Sequence, residues 1–80
     1  MPDPVEELLA FVARSLVAQP EQVRVTRSER DDAVVFELHV APEDVGKVIG
    51  KGGRTARALR TLVRASGTKA RERRLLDIVG

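Results

Sequence analysis

Cysteine, tryptophan and tyrosine are all missing from these 80 residues, and histidine occurs once. Without cysteine there is no disulfide framework and no thiolate metal site. A single His39 does not make a metal centre, and the period-two pattern of its segment puts it on a strand face away from the core. Long apolar runs are also missing. The longest falls far short of the ~20 residues of a membrane span, and Met1-Pro2-Asp3-Pro4 lacks the basic region of a secretory signal. The expectation is a soluble, cytoplasmic protein with no membrane partner. Ser15, Ser28 and Ser66 have no recognisable base beside them, and Asp31-Asp32 and Glu43-Asp44 suit a turn and a helix N-terminus better than paired acid–base work. No catalytic residue, metal ligand or cofactor is expected, and so no enzyme. The chain is long enough for one domain, 1–80, burying only roughly 60–65% of its unfolded surface.

Charge is present and unevenly spread. Residues 1–46 hold four Arg or Lys and ten Asp or Glu, a net of −6, while residues 47–80 hold ten basic and two acidic residues, a net of +8. Asymmetry of this kind points to a polyanion for the basic half, with a solvated arginine face as the alternative.

The hydrophobic pattern predicts helix, strand, strand, helix, helix, strand. Asp3 and Pro4 open a helix whose apolar residues Val5, Leu8, Leu9, Val12 and Leu16 recur at helical spacing, ending near Gln19-Pro20. Val23 and Val25, then Val34, Phe36, Leu38 and Val40, alternate as strands, with Ser28–Asp32 as the hairpin loop between them. Pro42 begins a short helix striped by Val45, Val48 and Ile49, and Gly50-Lys51-Gly52-Gly53 breaks it. A longer helix from about Arg54 is expected to stop at Ser66-Gly67, before a strand from Arg73 to Val79 with Leu76 and Ile78 inward. The simplest packing is an α+β domain, a three-stranded sheet with three helices on one face.

The glycine loop carries the chemistry. It is not a P-loop: only three residues separate Gly46 from Gly50, Gly52 stands where the magnesium-binding Ser or Thr belongs, and the preceding segment looks helical. A dinucleotide fingerprint fails at Thr55, which replaces its last glycine. What fits is helix–GxxG–helix, in which bare backbone approaches a ligand and the next helix offers free N–H groups to an anion. Lys51 adds charge at the tip. Leu59, Leu62 and Val63 share one face of the following helix, and Arg54, Arg57, Arg60 and Arg64 cluster opposite. Arg54 and Arg57, close to the loop, are the better candidates for contact, whereas a solvated face explains the farther arginines equally well.

The stretches "EELLAFVARSLV", "VAPEDVGKVIGKGGR" and "VIGKGGRTARALR" together resemble KH RNA-binding domains, in the type II order of elements. They are similar to the small single-KH proteins of bacteria, the KhpA family, over nearly the whole chain. The resemblance implies single-stranded RNA clamped over about four nucleotides, with Gly50, Lys51, Gly52 and Gly53 as the clamp. Lys47, Val48 and Ile49 in the helix before it, and Arg54 and Arg57 in the helix after, complete the implied RNA-binding set. It further implies a post-transcriptional regulator or RNA chaperone, a homodimer, and pairing with a larger Jag-type KH protein. Two positions depart from the family pattern: Gly52 where a polar side chain is usual, and Ala56 where isoleucine ends I-G-x-x-G-x-x-I. Phe36 is expected in the core, while Phe11 lies off the main stripe, at the core's edge or at an interface. Two phenylalanines make no aromatic stacking platform, so low sequence selectivity is expected.

The rival function is a protein-interaction module. Val35, Leu75 and Val79 would form an apolar patch on the bare sheet face. Salt separates the two: RNA binding weakens with a log–log slope of about −0.7 per phosphate contacted, and apolar dimerisation barely responds.

Overall fold

The first helix, α1 (Pro4–Leu16), starts where the sequence expects it. Asp3 accepts the Val5 N–H on its side chain at 2.9 Å, and Pro4 occupies the first helical position. The computed structural model describes residues 3–80, the Lys69 side chain excepted. The helix ends at Leu16, its last apolar stripe residue, three residues before the expected stop near Gln19-Pro20. The N–H groups of Ala18 and Gln19 leave the helical ladder and donate to the Asp44 carboxylate, and Pro20 then opens a 3-10 turn, Pro20–Gln22.

Strands β1 (Arg24–Arg30) and β2 (Ala33–His39) form an antiparallel hairpin whose loop is two residues, not five. Asp31 and Asp32 both adopt left-handed backbone, at φ 50° and 62°, the pair a tight primed turn requires and aspartate tolerates. Ser28, Glu29 and Arg30 are therefore strand, opposite Val35, Val34 and Ala33. A 3-10 turn, Pro42–Asp44, leads into α2 (Val45–Ile49), and a second, Lys51–Gly53, joins α2 to α3 (Arg54–Ala70). The α2–α3 crossover returns the chain as β3 (Arg73–Val79), parallel to β2, giving the sheet order β1-β2-β3.

The third helix does not stop at Gly67. It runs on to Ala70 and closes at Arg71, whose φ is 57°. Gly67 is instead a point of close approach. The Glu72 N–H donates to the Gly67 carbonyl at 2.8 Å, and a Cβ on Gly67 would run into the Glu72 carbonyl oxygen.

The fold is α+β, a three-stranded mixed sheet covered by three helices in the order α-β-β-α-α-β. Its core takes one sheet face (Val34, Phe36, Leu38, Leu76) and closes it with Leu9 and Ala13 of α1, Val48 of α2, and Leu59 and Val63 of α3. The other sheet face is less apolar than the sequence suggests. The Arg30 guanidinium crosses β2 to reach Asp77 on β3 at 3.3 Å, and Val35 is only 4% exposed. The expected patch is thus reduced to half-buried Leu75 and exposed Val79. His39 lies on that face beside Thr26 and Glu37, as its alternation implies. No helix of the described residues is long and apolar enough to cross a membrane.

Candidate nucleic-acid interface

Five residues are too few for a helix to hold itself in water, so α2 depends on outside support. Asp44, directly before it, is fully buried. Its carboxylate accepts the Ala18 N–H at 3.1 Å, the Gln19 N–H at 3.0 Å and the Lys47 ammonium at 3.0 Å. Burial pushes the Asp44 carboxyl up, but the Ala18 N–H, Lys47 and the Gln19 N–H together outweigh it and hold the group below its ordinary value. One turn further along α2, Val48 is wholly buried in the core. Polar and apolar anchors together fix the helix that ends at the glycine loop.

The loop itself is glycine-dependent in fact. Gly50 closes α2 at φ 77°, ψ 170°, a region essentially restricted to glycine, and a Cβ there would collide with the Thr55 side chain. Its carbonyl accepts the Gly53 N–H at 3.0 Å, which tightens the turn. Lys51 and Gly52 project into solvent. Gly53 caps α3 from left-handed backbone without any side-chain hydrogen bond, so no side chain occupies the first-turn N–H groups of α3. The Arg57 guanidinium lies 3.4 Å from where a Gly53 Cβ would stand, directly against the loop. The Gly50, Gly53 and Arg54 N–H groups are taken by the Gly46, Gly50 and Lys51 carbonyls. The main chain left to a ligand is therefore that of exposed Lys51 and Gly52, which converges with the first turn of α3 and with the Lys51, Arg54 and Arg57 charges on one turn suited to an anion.

Beyond the loop lies a groove of about 230 Å³ between α3 and β3, lined by Arg60, Arg64, Leu75, Leu76 and Asp77. Strand β3 is the sheet's edge. Its Val79 carbonyl accepts the Val40 N–H at 3.0 Å. The alternation of a parallel ladder then turns the main chain of Leu75 and Asp77 toward β2, and that of Leu76 and Ile78 outward. The groove thus combines cations along one wall with apolar side chains and unpaired main-chain donors and acceptors along the other. A larger cavity, about 440 Å³, lies between the Asp31–Asp32 turn and the α3–β3 connection, but Glu29, Asp31, Asp32 and Glu72 offset Arg30, Arg71 and Arg73 there, a poor setting for a polyanion.

Gly50, Lys51, Gly52, Gly53, Arg54 and Arg57 are brought together at one surface. Ile49 is half-buried beside them. Val48 is a correction: it points into the core and has no surface to offer a ligand. Lys47 is half exposed but directed to Asp44, so part of its charge is already used. Ala56, in the first turn of α3, is buried at 2% exposure. Sequence reasoning missed the groove wall of Leu75 and Leu76, because nothing local says which edge of β3 stays open.

The family model for the KhpA/KhpB KH domain matches residues 6–78. Among curated proteins, the chain is 53% identical over 74 residues to the RNA-binding protein KhpA of Treponema pallidum, covering 92% of each chain. It is 43% identical over 75 residues to the RNA-binding protein KhpA of Clostridium acetobutylicum, covering 94% of this chain and 100% of that one. To the RNA-binding protein KhpA of Caldanaerobacter subterraneus subsp. tengcongensis it is 45% identical over 73 residues, covering 91% and 97%.

Proposed function

Because the chain belongs to the KhpA/KhpB KH-domain family, we propose that it binds single-stranded RNA, with the strand's backbone seated on Gly50–Gly53 and its bases laid into the groove between α3 and β3. The observation that carries this is the loop: three positive-φ glycines bounded by Lys51, Arg54 and Arg57. A phosphate placed there meets loop main chain and positive charge together, while half-buried Leu75 gives bases an apolar surface and Leu76, its side chain in the core, offers its main chain. The outward N–H and C=O of Leu76 complement a donor–acceptor pair found on every base edge, so selectivity is low. The protein is a binding protein and no enzyme, working in the cytoplasm as a post-transcriptional regulator or RNA chaperone.

The deciding experiment is crosslinking followed by sequencing of bound RNA, comparing the natural chain with Lys51→Asp plus Gly52→Asp. Gly52 has open space around it, and aspartate is among the side chains that best tolerate its left-handed backbone (φ 64°, ψ 16°), so the variant is expected to fold at a modest cost in strain. Two added carboxylates and one lost ammonium should abolish RNA recovery. If the folded variant recovers the same RNA, the loop is not the clamp.

A second reading, compatible with the first, is association with a second copy or a larger Jag-type KH protein. It is favoured by the exposed apolar residues of the helical layer, Phe11 at 69% with Leu8, Leu16 and Leu62 around 40%. Phe11→Glu is expected to convert a dimer to a monomer in light scattering at any salt, leaving the salt dependence of RNA binding per chain as it was. An unchanged mass would take Phe11 out of the interface.

A further inference from the structure

The arginines of this chain fall into two populations. Arg27, Arg30 and Arg74, on the sheet, each lie within ion-pair distance of a carboxylate. Arg54, Arg57, Arg60 and Arg64, on α3, are exposed and form no ion pair among the described residues. Arg14, Arg24, Arg71 and Arg73 are also unpaired among the described residues, but Arg14 and Arg24 flank the α1–β1 groove with Glu6 and Glu7, and Arg71 and Arg73 line a cavity with Glu29, Asp31 and Asp32, so carboxylates answer their charge. The α3 set has only Asp77, which lines the groove with Arg60 and Arg64, to answer it. Its helix contains no Asp or Glu at all. The two acids of the basic half are both engaged elsewhere, Glu72 by Arg74 and Arg27, and Asp77 by Arg30.

The spacing is ordered. At about 100° per residue the four arginines fall within an arc of about 120°. A rise of about 1.5 Å per residue sets them about 4.5 to 6 Å apart along the axis, comparable to the step between phosphates of an extended strand. Like charges at i,i+3 and i,i+4 weaken a helix, and Arg54–Arg57, Arg57–Arg60 and Arg60–Arg64 are all such pairs. A local rule broken three times on one face marks a surface whose repulsion a polyanion relieves. Arg60 and Arg64 also line the groove, so this row of charge and the apolar wall run side by side.

We infer that the phosphate track continues past the loop along α3, one phosphate to each of Arg54, Arg57, Arg60 and Arg64, so that the footprint is about six nucleotides and not the clamp's four or so. This rests on the RNA reading of the loop and extends it from Arg54 and Arg57 to Arg60 and Arg64. Most of the salt-dependent affinity then comes from the helix, and the loop fixes where the strand begins.

The test is fluorescence anisotropy with the full chain and end-labelled, unstructured RNAs of four, six and eight nucleotides across a KCl series. Affinity should rise steeply from the four-mer to the six-mer and little beyond. Arg60→Ala plus Arg64→Ala should reduce the log–log salt slope for the six-mer by about 1.4, two contacts at about 0.7 each, and that for the four-mer by less than one contact. Both side chains are exposed and unpaired, so the double variant should melt no lower than the natural chain. Equal binding of four-mer and six-mer, or an unchanged slope in the double variant, would show the far arginines to be a solvated face. A double variant that weakens the four-mer equally also overturns the extension, because clamp and row would then be one short site. Absence of binding by every RNA to the natural chain sinks the RNA reading itself, a different failure.

Discussion

Arg74→Ala is expected to cost about 3 kcal/mol of stability, the lower end for removing one partner of a buried ion pair, because Glu72 keeps one-third of its side chain in water. That is a large share of the total, since roughly 0.05–0.15 kcal/mol per residue is all a domain of this size has. Arg74 is only 8% exposed, on the core side of β3. Its guanidinium spends three nitrogens on three partners: Nε donates to Glu72 at 2.9 Å, Nη1 to Ser66 at 3.1 Å and Nη2 to Asp3 at 3.1 Å. It also sits 5.5 Å from the centre of the Phe36 ring, a contact that adds to packing. Asp3 is the cap of α1, so one side chain ties the start of the first helix to the end of the third and to the last strand. Removing it leaves the nearly buried Asp3 carboxylate with the Val5 N–H and, as its one cation, Arg27 at 3.6 Å. Urea unfolding checks this. Arg74→Lys keeps the charge but not the planar fork and should lose more than half as much, whereas Arg27→Ala should cost no more than about 1 kcal/mol as a surface pair. Equal losses for Arg27 and Arg74 would mean that burial is not what gives Arg74 its weight.

Arg74 also shows how far alternation reaches. Placing Leu76 and Ile78 inward places Arg74 inward too, and a charge at an inward position announces a buried partner. The partner's identity lies 71 residues away at Asp3, beyond any local pattern. What is legible has its cause nearby: the Asp3-Pro4 start of α1, the period-two strands, and the break at Gly50. What is not legible depends on distant groups. The end of α1 is set by a carboxylate 26 residues on. Gly67 resembles a helix stop but answers to the returning chain. The polar run Ser28–Asp32 looks like a loop, yet edge strands favour such residues, and two left-handed aspartates suffice to turn the chain. In the site the same division holds. The loop and its adjacent arginines are visible because their roles follow from backbone freedom and charge, while the groove needs the strand order, and Val48 looks like surface until the core is assembled around it.

Asp44 supplies the second large effect, and it acts on the site through α2. Its folded pKa is lowered, so the unfolded chain binds its proton more tightly. The stability it contributes is complete above the ordinary carboxylate range and disappears as pH falls through the lower, folded value. Asp44→Asn should therefore destabilise the protein at neutral pH and flatten the acid limb of its stability curve. Asparagine keeps the shape but turns an amide donor toward one of the two N–H groups of Ala18 and Gln19, and it gives Lys47 no charge to pair with. With α2 unmoored, Gly50 no longer closes against Thr55. Single-stranded RNA should bind about tenfold more weakly, one decade of affinity, at temperatures where circular dichroism still reports a folded chain. Lys47→Met separates the roles: if Lys47 chiefly completes the Asp44 cage, it should shift the acid limb while changing the salt slope of binding by less than one phosphate contact. Superimposable pH–stability curves for Asp44→Asn and the natural chain would show that the carboxylate does not anchor α2, and that the loop is held by Val48 packing alone.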